Sequence, residues 1–407
     1  MNVLSMILAG GEGTRLYPLT IDRAKPSVPI GGNYRIIDFV LNNFMNSGVL
    51  KMYVLTQFKS HSLMRHLRLG WRISGLTRTF IDPIPAQMQT GKKWYEGTAD
   101  AIYQNINLIK DEDPELVCIF GGDHIYKMDI QQMIKFHQKK NAVMTVAAIP
   151  VPIRDAHHFG VIEVDDDWKM IGFQEKPKEN PKTIPGDPDH VLASMGNYVF
   201  NTNELVEELI KDAQNVDSDH DFGKNIIPHL YPQGDVYVYN FLENDIPGIS
   251  EKERGYWRDV GTIDAYWEAN MDFIQVDPIF NLYNHKWPLN TYNPPYPPAK
   301  FVHFSEIRTG HAINSMVATG TIISGAMVEQ CVISYNVRIH SFCHVSQSVI
   351  MDNVQIGRGA QIQRAIIDKD TIIAPGTRIG YDLEADRKRF HVSPNGIVVI
   401  PKGVRVE

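Results

Sequence analysis

The stretch Met6-Ile-Leu-Ala-Gly-Gly-Glu-Gly-Thr-Arg-Leu-Tyr-Pro-Leu-Thr20 decides the fold, and Ala24-Lys-Pro-Ser-Val-Pro29 follows it closely. The apolar run at 3–9, which leads into the glycines, predicts a buried parallel strand. The loop after this strand carries three glycines, and two cations stand on the same segment: Gly10, Gly11, Gly13, Arg15 and Lys25. Glycines after a strand let backbone N–H groups approach an anion closely, and phosphate is the usual anion. The stretch therefore predicts a phosphate-binding loop in an α/β domain.

The loop matches neither of two common phosphate-binding patterns. A Walker A loop needs Gly-Lys-Ser/Thr four residues after a first glycine, and that sequence does not occur here. The dinucleotide fingerprint Gly-x-Gly-x-x-Gly cannot be aligned with the loop either. Taken alone, the glycines could form a simple turn between strand and helix. The addition of Thr14, Arg15, Lys25 and Pro26 at this spacing favours a nucleotide loop of another kind.

Length and composition limit the classes of protein to consider. A chain of 407 residues is too long for one ordinary hydrophobic core, so two domains are expected. The formal net charge of −7 argues against a nucleic-acid partner. No apolar run reaches the roughly 18 residues of a membrane span and no signal-peptide pattern is visible, so we expect a cytoplasmic protein without a membrane partner. Cys118, Cys331 and Cys343 have no paired spacing and are expected to be reduced.

Two aspartates stand at predicted strand-end turns. The apolar run at 116–120 predicts a strand that ends at Gly121-Gly-Asp123, and Asp259 follows Tyr256-Trp-Arg. Ligands of a parallel sheet lie beyond the carboxyl ends of its strands, although a turn aspartate without a ligand is the commoner fate of a Gly-Asp pair. Together the two carboxylates could share one Mg²⁺, a hard ion held by one or two carboxylates plus phosphate oxygens.

The segment from Ser74 to Lys93 has little periodicity and includes Pro83-Ile-Pro-Ala-Gln87. We predict a loop over the site there, because binding residues often lie on loops. A helix is expected to open after Trp94-Tyr-Glu-Gly, with Thr98 as its N-cap.

The composition changes at 276–300, where prolines reach a density that no helix or central strand tolerates. We predict a linker there, between a catalytic domain at 1–275 and a second domain at 301–407. In the second domain aliphatic residues recur every six positions in rows that restart after 17: Ile333, Ile339, Val345; Ile350, Ile356, Ile362; Ile367, Ile373, Ile379. A six-residue period predicts a parallel β-helix, because each short side of the coil points one aliphatic side chain inward.

Transfer of a nucleotidyl group needs cations on the leaving pyrophosphate, a metal on the attacked phosphate and an acceptor held in line. The candidates are Gly11, Gly13 and Arg15 for the β- and γ-phosphates, Lys25 for the α-phosphate, and Asp123 with Asp259 for the metal. No nucleophilic side chain is required, because a sugar phosphate would itself attack.

The opening loop resembles that of the sugar-nucleotide pyrophosphorylases, whose pattern is Gly-Gly-x-Gly-Thr-Arg-Leu-x-Pro-Leu-Thr followed by Lys-Pro. Nearly the whole chain is similar to one branch, the glucose-1-phosphate adenylyltransferase family. The most specific motifs are Trp94-Tyr-Glu-Gly-Thr-Ala-Asp, Gly122-Asp-His-Ile-Tyr-Lys-Met-Asp129, Leu192-Ala-Ser-Met-Gly, His220-Asp-Phe-Gly-Lys and Tyr256-Trp-Arg-Asp-Val-Gly-Thr. The resemblance implies a Rossmann-like, mostly parallel-sheet nucleotidyltransferase domain followed by a left-handed parallel β-helix domain. It also implies Mg²⁺-dependent transfer of the adenylyl group of ATP to glucose 1-phosphate.

The resemblance further implies roles for individual residues. Arg15, Lys25 and Asp123 would be catalytic, and Asp123 and Asp259 would hold the metal. Glucose 1-phosphate would contact Tyr95, Gly160, Glu175, Lys176, Ser194, Asp221 and Trp257, with Lys176 on its phosphate. The nucleotide would contact Leu8, Gly10, Gly11, Gly13, Thr14, Gln87 and Gly97, with Gln87 at the adenine.

The family is tetrameric and allosterically regulated, which implies a homotetramer and small-molecule effectors. Gln57 and Trp94 would couple effector binding to the ATP site, and the effector would bind Arg35, Lys369, Arg387 and Lys402. Members activated by fructose 1,6-bisphosphate carry a lysine and a histidine where this chain has Asp22 and Pro29. Because Asp22 reverses a charge, we expect weak activation by that bisphosphate or none.

Three other interpretations stay open at this point. The opening loop alone permits a pyrophosphorylase that makes UDP- or dTDP-glucose. A non-catalytic regulatory subunit of the same fold is disfavoured, because every candidate charged residue is present. A hexapeptide-repeat acyltransferase would need a catalytic histidine in the coil and a coenzyme A groove, and neither has a clear candidate.

Overall fold

The computed structural model describes residues 2–73, 78–87, 93–305 and 307–407, and the N-terminal part is built on one mixed, nine-stranded sheet. Seven strands lie in the order Met170–Glu175, Gly160–Val164, His190–Asn201, Leu116–Gly121, Val3–Leu8, Lys51–Thr56, Phe80–Pro85. Met144–Pro152 pairs with His190–Asn201, and Val236–Asn240 pairs with Met144–Pro152. The first strand is parallel to both of its neighbours, so its carboxyl end and that of Leu116–Gly121 open onto the same edge.

Apolar side chains cover both faces of the sheet. Leu4 and Met6 belong to one buried cluster and Ile7 to another, because successive side chains of a strand point to opposite faces. The helices of this part are Ile36–Asn46, His61–Gly70, Thr98–Tyr103, Ile106–Glu112, Ile130–Lys139, Thr202–Ala213, Ile227–Leu230 and Ile263–Phe273. The predicted strands before the glycine loop and before Asp123 are thus confirmed.

A two-stranded antiparallel ribbon stands apart from the main sheet. It consists of His124–Tyr126 and Trp257–Asp259, and its register pairs His124 with Asp259. Directly opposite residues of such a pair have Cβ atoms about 4.5–5.5 Å apart. The ribbon therefore brings Asp259 beside the turn that carries Asp123.

The predicted loop at 74–93 is partly wrong. Phe80–Pro85 is an edge strand, parallel to Lys51–Thr56, while residues 74–77 and 88–92 lie outside the described part of the chain. Two prolines fit here because an edge strand leaves one side of its backbone unpaired. The predicted N-cap is also wrong, since the cap of the helix Thr98–Tyr103 is Gly97 and Thr98 is its first residue.

The C-terminal part is a coil of three sheets whose strands pair in parallel. The first sheet runs Lys300–Val302, Ile322–Ser324, Arg338–Ile339, Gln355–Ile356, Ile372–Ile373, Arg405–Val406. The second runs His311–Ile313, Met327–Glu329, His344–Ser346, Gln361–Gln363, Arg378–Ile379. The third runs Met316–Val317, Val332–Ile333, Val349–Ile350, Ala365–Ile367, Val398–Ile400, with His391–Val392 antiparallel at its end. All nine aliphatic residues of the predicted rows are buried, which confirms the six-residue period as a parallel β-helix.

The coil packs directly against the N-terminal part. One apolar cluster contains Leu16 and Tyr266 from that part together with Val349 and Ile366 from the coil. Trp267 also donates a 2.9 Å hydrogen bond from Nε1 to the carbonyl of residue 347. The exact division at 275 and 300 stays a prediction.

A buried ion pair joins the two parts at the nucleotide loop. The Arg23 guanidinium contacts the Asp368 carboxylate, and both side chains are almost fully buried. Arg23 lies two residues before Lys25, while Asp368 follows the coil strand Ala365–Ile367. The β-helix therefore holds the segment that carries Lys25.

Among the residues that the structure describes, no helix combines the length and the apolar character needed to cross a membrane.

Candidate functional site

A cavity of about 680 Å³ lies at the carboxyl ends of the strands Val3–Leu8 and Leu116–Gly121. Its phosphate-loop side is formed by Leu8, Gly10, Gly11, Gly13, Thr14 and Arg15. Its centre is formed by Lys25, Asp123 and Asp259. Its far side is formed by Gly160, Glu175, Lys176, Ser194 and Asp221. Tyr95, Gly97 and Trp257 also line the cavity, and Gln57 lines it beside Gly10 of the glycine loop. Residues separated by more than 240 positions in the chain thus meet in one space.

The centre of the cavity is a lysine held between two carboxylates. Lys25 Nζ lies 2.8 Å from Asp123 Oδ2 and 2.7 Å from Asp259 Oδ1. Arg15 approaches the other oxygen of Asp259 at 3.4 Å. The lysine side chain is only 8% exposed, whereas those of Asp123 and Asp259 are 35% and 25% exposed, so water screens these charges in part.

This arrangement shifts the pKa values of both partners toward their charged forms. Burial alone would lower the pKa of Lys25, but the carboxylates of Asp123 and Asp259 outweigh it and raise the pKa of the ammonium. Burial alone would raise the pKa of Asp123, but the Lys25 ammonium, with His124, holds the pKa of that carboxyl well below its usual range. We therefore expect a charged lysine facing a charged aspartate at neutral pH.

The residues at this centre fit a divalent metal ion. Asp123, His124 and Asp259 each offer one ligand atom, and the three atoms lie within 4.8 Å of one another. The Nδ1 atom of His124 is buried, has no hydrogen-bond partner and lies 3.9 Å from Asp123 Oδ1. The lysine cation already bridges the two carboxylates, which marks the spot as favourable for positive charge. His124 was not among the predicted site residues, although its position directly after Asp123 was a signal for it.

The phosphate loop is shaped by Gly13. This glycine has φ +65°, in the left-handed region, and an added Cβ would lie 3.0 Å from the Cβ of Lys25. A side chain here would strain the backbone and push Lys25 away. The glycine therefore allows the loop and the Lys25 segment to pack together.

The far side of the cavity is held together by Asp221. Thr98 donates a 2.9 Å hydrogen bond to Asp221 Oδ2, and the backbone N–H of Gly223 donates one of 2.9 Å to Oδ1. At Gly97 an added Cβ would lie 2.2 Å from the carbonyl oxygen of His220, so only glycine fits there. These contacts explain why the hydroxyl of Thr98 does not cap its own helix.

Lys176 and Glu175 form an ion pair of 3.0 Å at the rim of the cavity. The lysine side chain is 60% exposed, so its ammonium is accessible from the cavity mouth. Ser194 also lines the cavity, and its hydroxyl accepts a 3.3 Å bond from the backbone N–H of Gly196. A cation, a carboxylate and a hydroxyl at one end suit a ligand with both a phosphate and hydroxyl groups.

Gln57 clamps the backbone of Tyr95. Its side chain accepts a 2.8 Å hydrogen bond from the N–H of Tyr95 and donates a 3.4 Å bond to the carbonyl of the same residue. Gln87 and Trp94 are not among the residues that line the cavity. Their predicted roles at the adenine and in effector coupling stay predictions.

A second cavity, of about 400 Å³, lies between the N-terminal part and the coil. It contains three of the four predicted effector residues, Arg35, Lys369 and Lys402, and it also contains Asp22 and Pro29. Arg387 does not line it and is instead ion-paired with Glu384 on the helix Leu383–Arg387.

The charges in the second cavity are partly compensated. Lys369 Nζ lies 2.5 Å from Asp352 Oδ2, and burial lowers the pKa of Lys369 to about 8 despite that carboxylate. Arg35 donates a 2.8 Å hydrogen bond to the hydroxyl of Ser62. Lys369 therefore carries a positive charge at neutral pH and loses it above about pH 8.

Comparisons with known proteins agree with this geometry. The chain matches the nucleotidyl transferase family over residues 4–276 and the GlmU-like C-terminal hexapeptide family over residues 297–400. It is 58% identical over 404 residues to glucose-1-phosphate adenylyltransferase 1 of Vibrio parahaemolyticus, which is 99% of each chain. It is also 58% identical over 404 residues to the glucose-1-phosphate adenylyltransferase of Aliivibrio fischeri, again 99% of each chain. With the enzyme of that name from an Anaeromyxobacter species it shares 57% identity over 407 residues, 100% of this chain and 99% of the relative. The chain belongs to the glucose-1-phosphate adenylyltransferase family of nucleotidyl transferases.

Proposed function

We propose that the protein transfers the adenylyl group of ATP to glucose 1-phosphate, which gives ADP-glucose and pyrophosphate for glycogen synthesis. The observation that carries this proposal is the 680 Å³ cavity, in which a glycine loop, a lysine between two aspartates and a second lysine beside a glutamate face one another. The names of the relatives give the substrates. A regulatory subunit without activity is not favoured, because no charged group that the reaction needs is missing.

The reaction divides between the two ends of the cavity. A phosphate oxygen of glucose 1-phosphate forms a bond to the α-phosphorus of ATP, and the bond from that phosphorus to the pyrophosphate oxygen breaks. The glycine loop and Arg15 hold the leaving pyrophosphate, and Lys25 neutralises the α-phosphate. At the other end Lys176 holds the sugar phosphate, while Glu175 and Ser194 recognise hydroxyl groups. The protein thereby supplies orientation and preorganised charge, the two largest contributions to such a transfer.

Mg²⁺ is the proposed cofactor, held by Asp123 and Asp259. Carboxylate oxygens are the ligands that this ion prefers, and it keeps its other positions for water and substrate phosphate. Bound there, the ion would polarise the phosphate oxygens as a Lewis acid. His124 turns an unpartnered nitrogen toward the same group of atoms.

The proposed function is tested by measuring pyrophosphate release from glucose 1-phosphate with ATP, UTP and dTTP in turn. We expect release with ATP to exceed release with the other two by a wide margin. A faster rate with UTP or dTTP would identify that nucleotide, and not ATP, as the substrate. If no nucleotide gave pyrophosphate release, only a binding role would be left.

A first prediction concerns the sugar phosphate. Lys176→Ala is expected to raise KM for glucose 1-phosphate about 10- to 100-fold, because a hydrogen bond to a charged group is worth about 1.5–3 kcal/mol. KM for ATP should change little, since Lys176 lies at the far side of the cavity from the glycine loop. Steady-state kinetics with each substrate varied in turn measure both values. Lys178→Ala is the matched control, because Lys178 is exposed on the same loop but does not line the cavity. Equal increases in both KM values would contradict the assignment.

We further propose that the second cavity binds an anionic effector. Arg35 reaches it from the N-terminal part, while Lys369 and Lys402 reach it from the coil. Asp368 precedes Lys369 and pairs with Arg23, which in turn lies two residues before Lys25. This line of contacts supports a coupling between the effector cavity and the nucleotide loop. Phosphate and carboxylate groups are the chemical classes that such a cavity would take.

A second prediction concerns the identity of the effector. Fructose 1,6-bisphosphate is expected to activate the enzyme weakly or not at all, because the Asp22 carboxylate lines the cavity and repels phosphate. Another sugar phosphate, or a carboxylate such as pyruvate, would take its place. Initial rates with ATP varied, at millimolar effector concentrations, should show that Asp22→Lys gains activation, as an apparent affinity for ATP that rises within the 5- to 150-fold range usual for allosteric coupling. Activation of Asp22→Asn, which only removes the charge, should lie between that of the unchanged protein and that of Asp22→Lys. Strong activation of the unchanged protein by the bisphosphate would contradict the role of Asp22.

We also propose a homotetramer in the cytoplasm. Phe304 and Ile307 at the start of the coil are 95% and 82% exposed, and an interface would cover such side chains. Free, buried thiols at Cys118, Cys331 and Cys343 suit a reducing compartment. Light scattering on the purified protein measures the mass of the assembly.

A further inference from the structure

Lys25 stands where two metal-binding carboxylates would hold a cation. Its Nζ atom is 2.8 Å from Asp123 and 2.7 Å from Asp259, and its side chain is buried. The lysine also lines the cavity, close to the glycine loop. It has two possible partners within reach of one flexible side chain: the carboxylate pair and a bound phosphate.

A divalent cation and the lysine ammonium exclude each other at this spot. An ion shared by both carboxylates needs its oxygen ligands at about 2.0–2.1 Å for Mg²⁺, inside the 2.7–2.8 Å that the ammonium keeps. Two cations about 4 Å apart also repel each other. One of them must leave when the other arrives.

We propose that Lys25 is an internal counter-ion, which holds Asp123 and Asp259 together until a divalent cation replaces it and so frees its ammonium for the phosphate of the nucleotide. This inference rests on the proposed function and adds an order of events to it. The free protein binds the metal weakly, because the ion must displace a buried ammonium. Metal and nucleotide then favour each other, since the phosphate gives the displaced lysine a new partner.

The chain allows this movement without rearranging its backbone. The stem of Lys25 packs against Gly13, whose added Cβ would touch the Cβ of the lysine. The short helical turn Lys25–Ser27 and the Arg23–Asp368 ion pair hold the backbone on either side. Only the end of the side chain has to swing, over the glycine loop and toward the phosphates.

Mn²⁺ binding to the full-length protein without nucleotide tests the proposal, with free Mn²⁺ measured by electron paramagnetic resonance. Lys25→Met removes the ammonium and keeps the length of the stem, so we expect the Kd for Mn²⁺ to fall at least about tenfold. Lys25→Gln should behave in the same way and serves as a second variant should the first not fold. Lys25→Arg keeps a cation and should retain the weak affinity of the unchanged protein. Lys176→Met is the control, since Lys176 lies in the same cavity but is paired with Glu175, and its Mn²⁺ affinity should also stay weak.

The outcomes separate this inference from the proposed function. A folded Lys25→Met or Lys25→Gln protein with unchanged or weaker Mn²⁺ affinity overturns the counter-ion role, even when the unchanged protein still makes ADP-glucose. Tightening that is lost on adding Asp259→Asn supports it and locates the ion at the carboxylate pair. If Mn²⁺ binding tightens equally in Lys176→Met, the counter-ion role is overturned. A general loss of positive charge would then be sufficient to explain the higher affinity.

Discussion

Replacing Asp259 by asparagine is expected to lower kcat for ADP-glucose synthesis about 10²- to 10³-fold, the usual effect of removing one directly acting electrostatic group. The change keeps the shape of the side chain and removes its charge. It takes one oxygen ligand from the proposed metal and leaves Lys25 and Arg15 with one carboxylate fewer to bind. Asp123→Asn should have a similar effect, because Asp123 is the other carboxylate in contact with Lys25.

Initial rates at saturating ATP, glucose 1-phosphate and Mg²⁺ measure this effect. Asp277→Asn is the matched control, because Asp277 is exposed on the surface and pairs with Lys252 far from the cavity lining. Its kcat should equal that of the unchanged protein. Near-normal turnover of either Asp259→Asn or Asp123→Asn would refute the metal assignment.

The largest expected effect on stability comes from the ion pair between the nucleotide loop and the coil. Arg23→Met leaves the Asp368 carboxylate buried without its ion-pair partner, with a 2.7 Å hydrogen bond from the backbone N–H of Lys369 still in place. Breaking one side of a buried pair in this way costs about 3–5 kcal/mol in the free energy of unfolding. Asp368→Leu should cost a similar amount, because it leaves the guanidinium of Arg23 without its carboxylate. Chemical denaturation followed by tryptophan fluorescence measures the loss.

The double variant Arg23→Met/Asp368→Leu gives the decisive comparison. Replacing a whole buried pair by apolar residues of similar size is often neutral or stabilising, so most of the lost stability should return. Costs that simply add in the double variant would mean that the two side chains act independently. In that case the pair would not be what fastens the coil to the loop.

Local patterns were sufficient to predict the strands next to the site and the coil. The apolar run before Gly10 and the run before Gly121 each read as a strand because burial on both faces leaves no polar alternation. The six-residue rows predicted the β-helix because that period belongs to no helix and no sandwich. These features are determined by residues close together in the chain, so their pattern is visible in a single sequence.

Features that depend on distant contacts were not predictable in the same way. Phe80–Pro85 looked like a loop because of its prolines, and only its place at the sheet edge makes a strand possible. Thr98 looked like a helix cap, but its hydroxyl turns to Asp221, which is 123 residues away. The position of Lys25 between two aspartates is of the same kind. Each of these three features depends on a contact that is visible only once the fold is known.

The ribbon of His124–Tyr126 and Trp257–Asp259 determines when the site becomes complete during synthesis on the ribosome. The strands that lead to the glycine loop and to Asp123 are synthesised early, but Trp257–Asp259, the partner of His124–Tyr126, is translated more than 130 residues later. All nine strands of the sheet are translated by residue 240, so the nascent sheet can assemble before the carboxylate of Asp259 exists. A truncated or stalled chain therefore carries a nucleotide loop without the means to use it. Catalytic competence arrives late in synthesis, when the residues just ahead of the coil leave the exit tunnel.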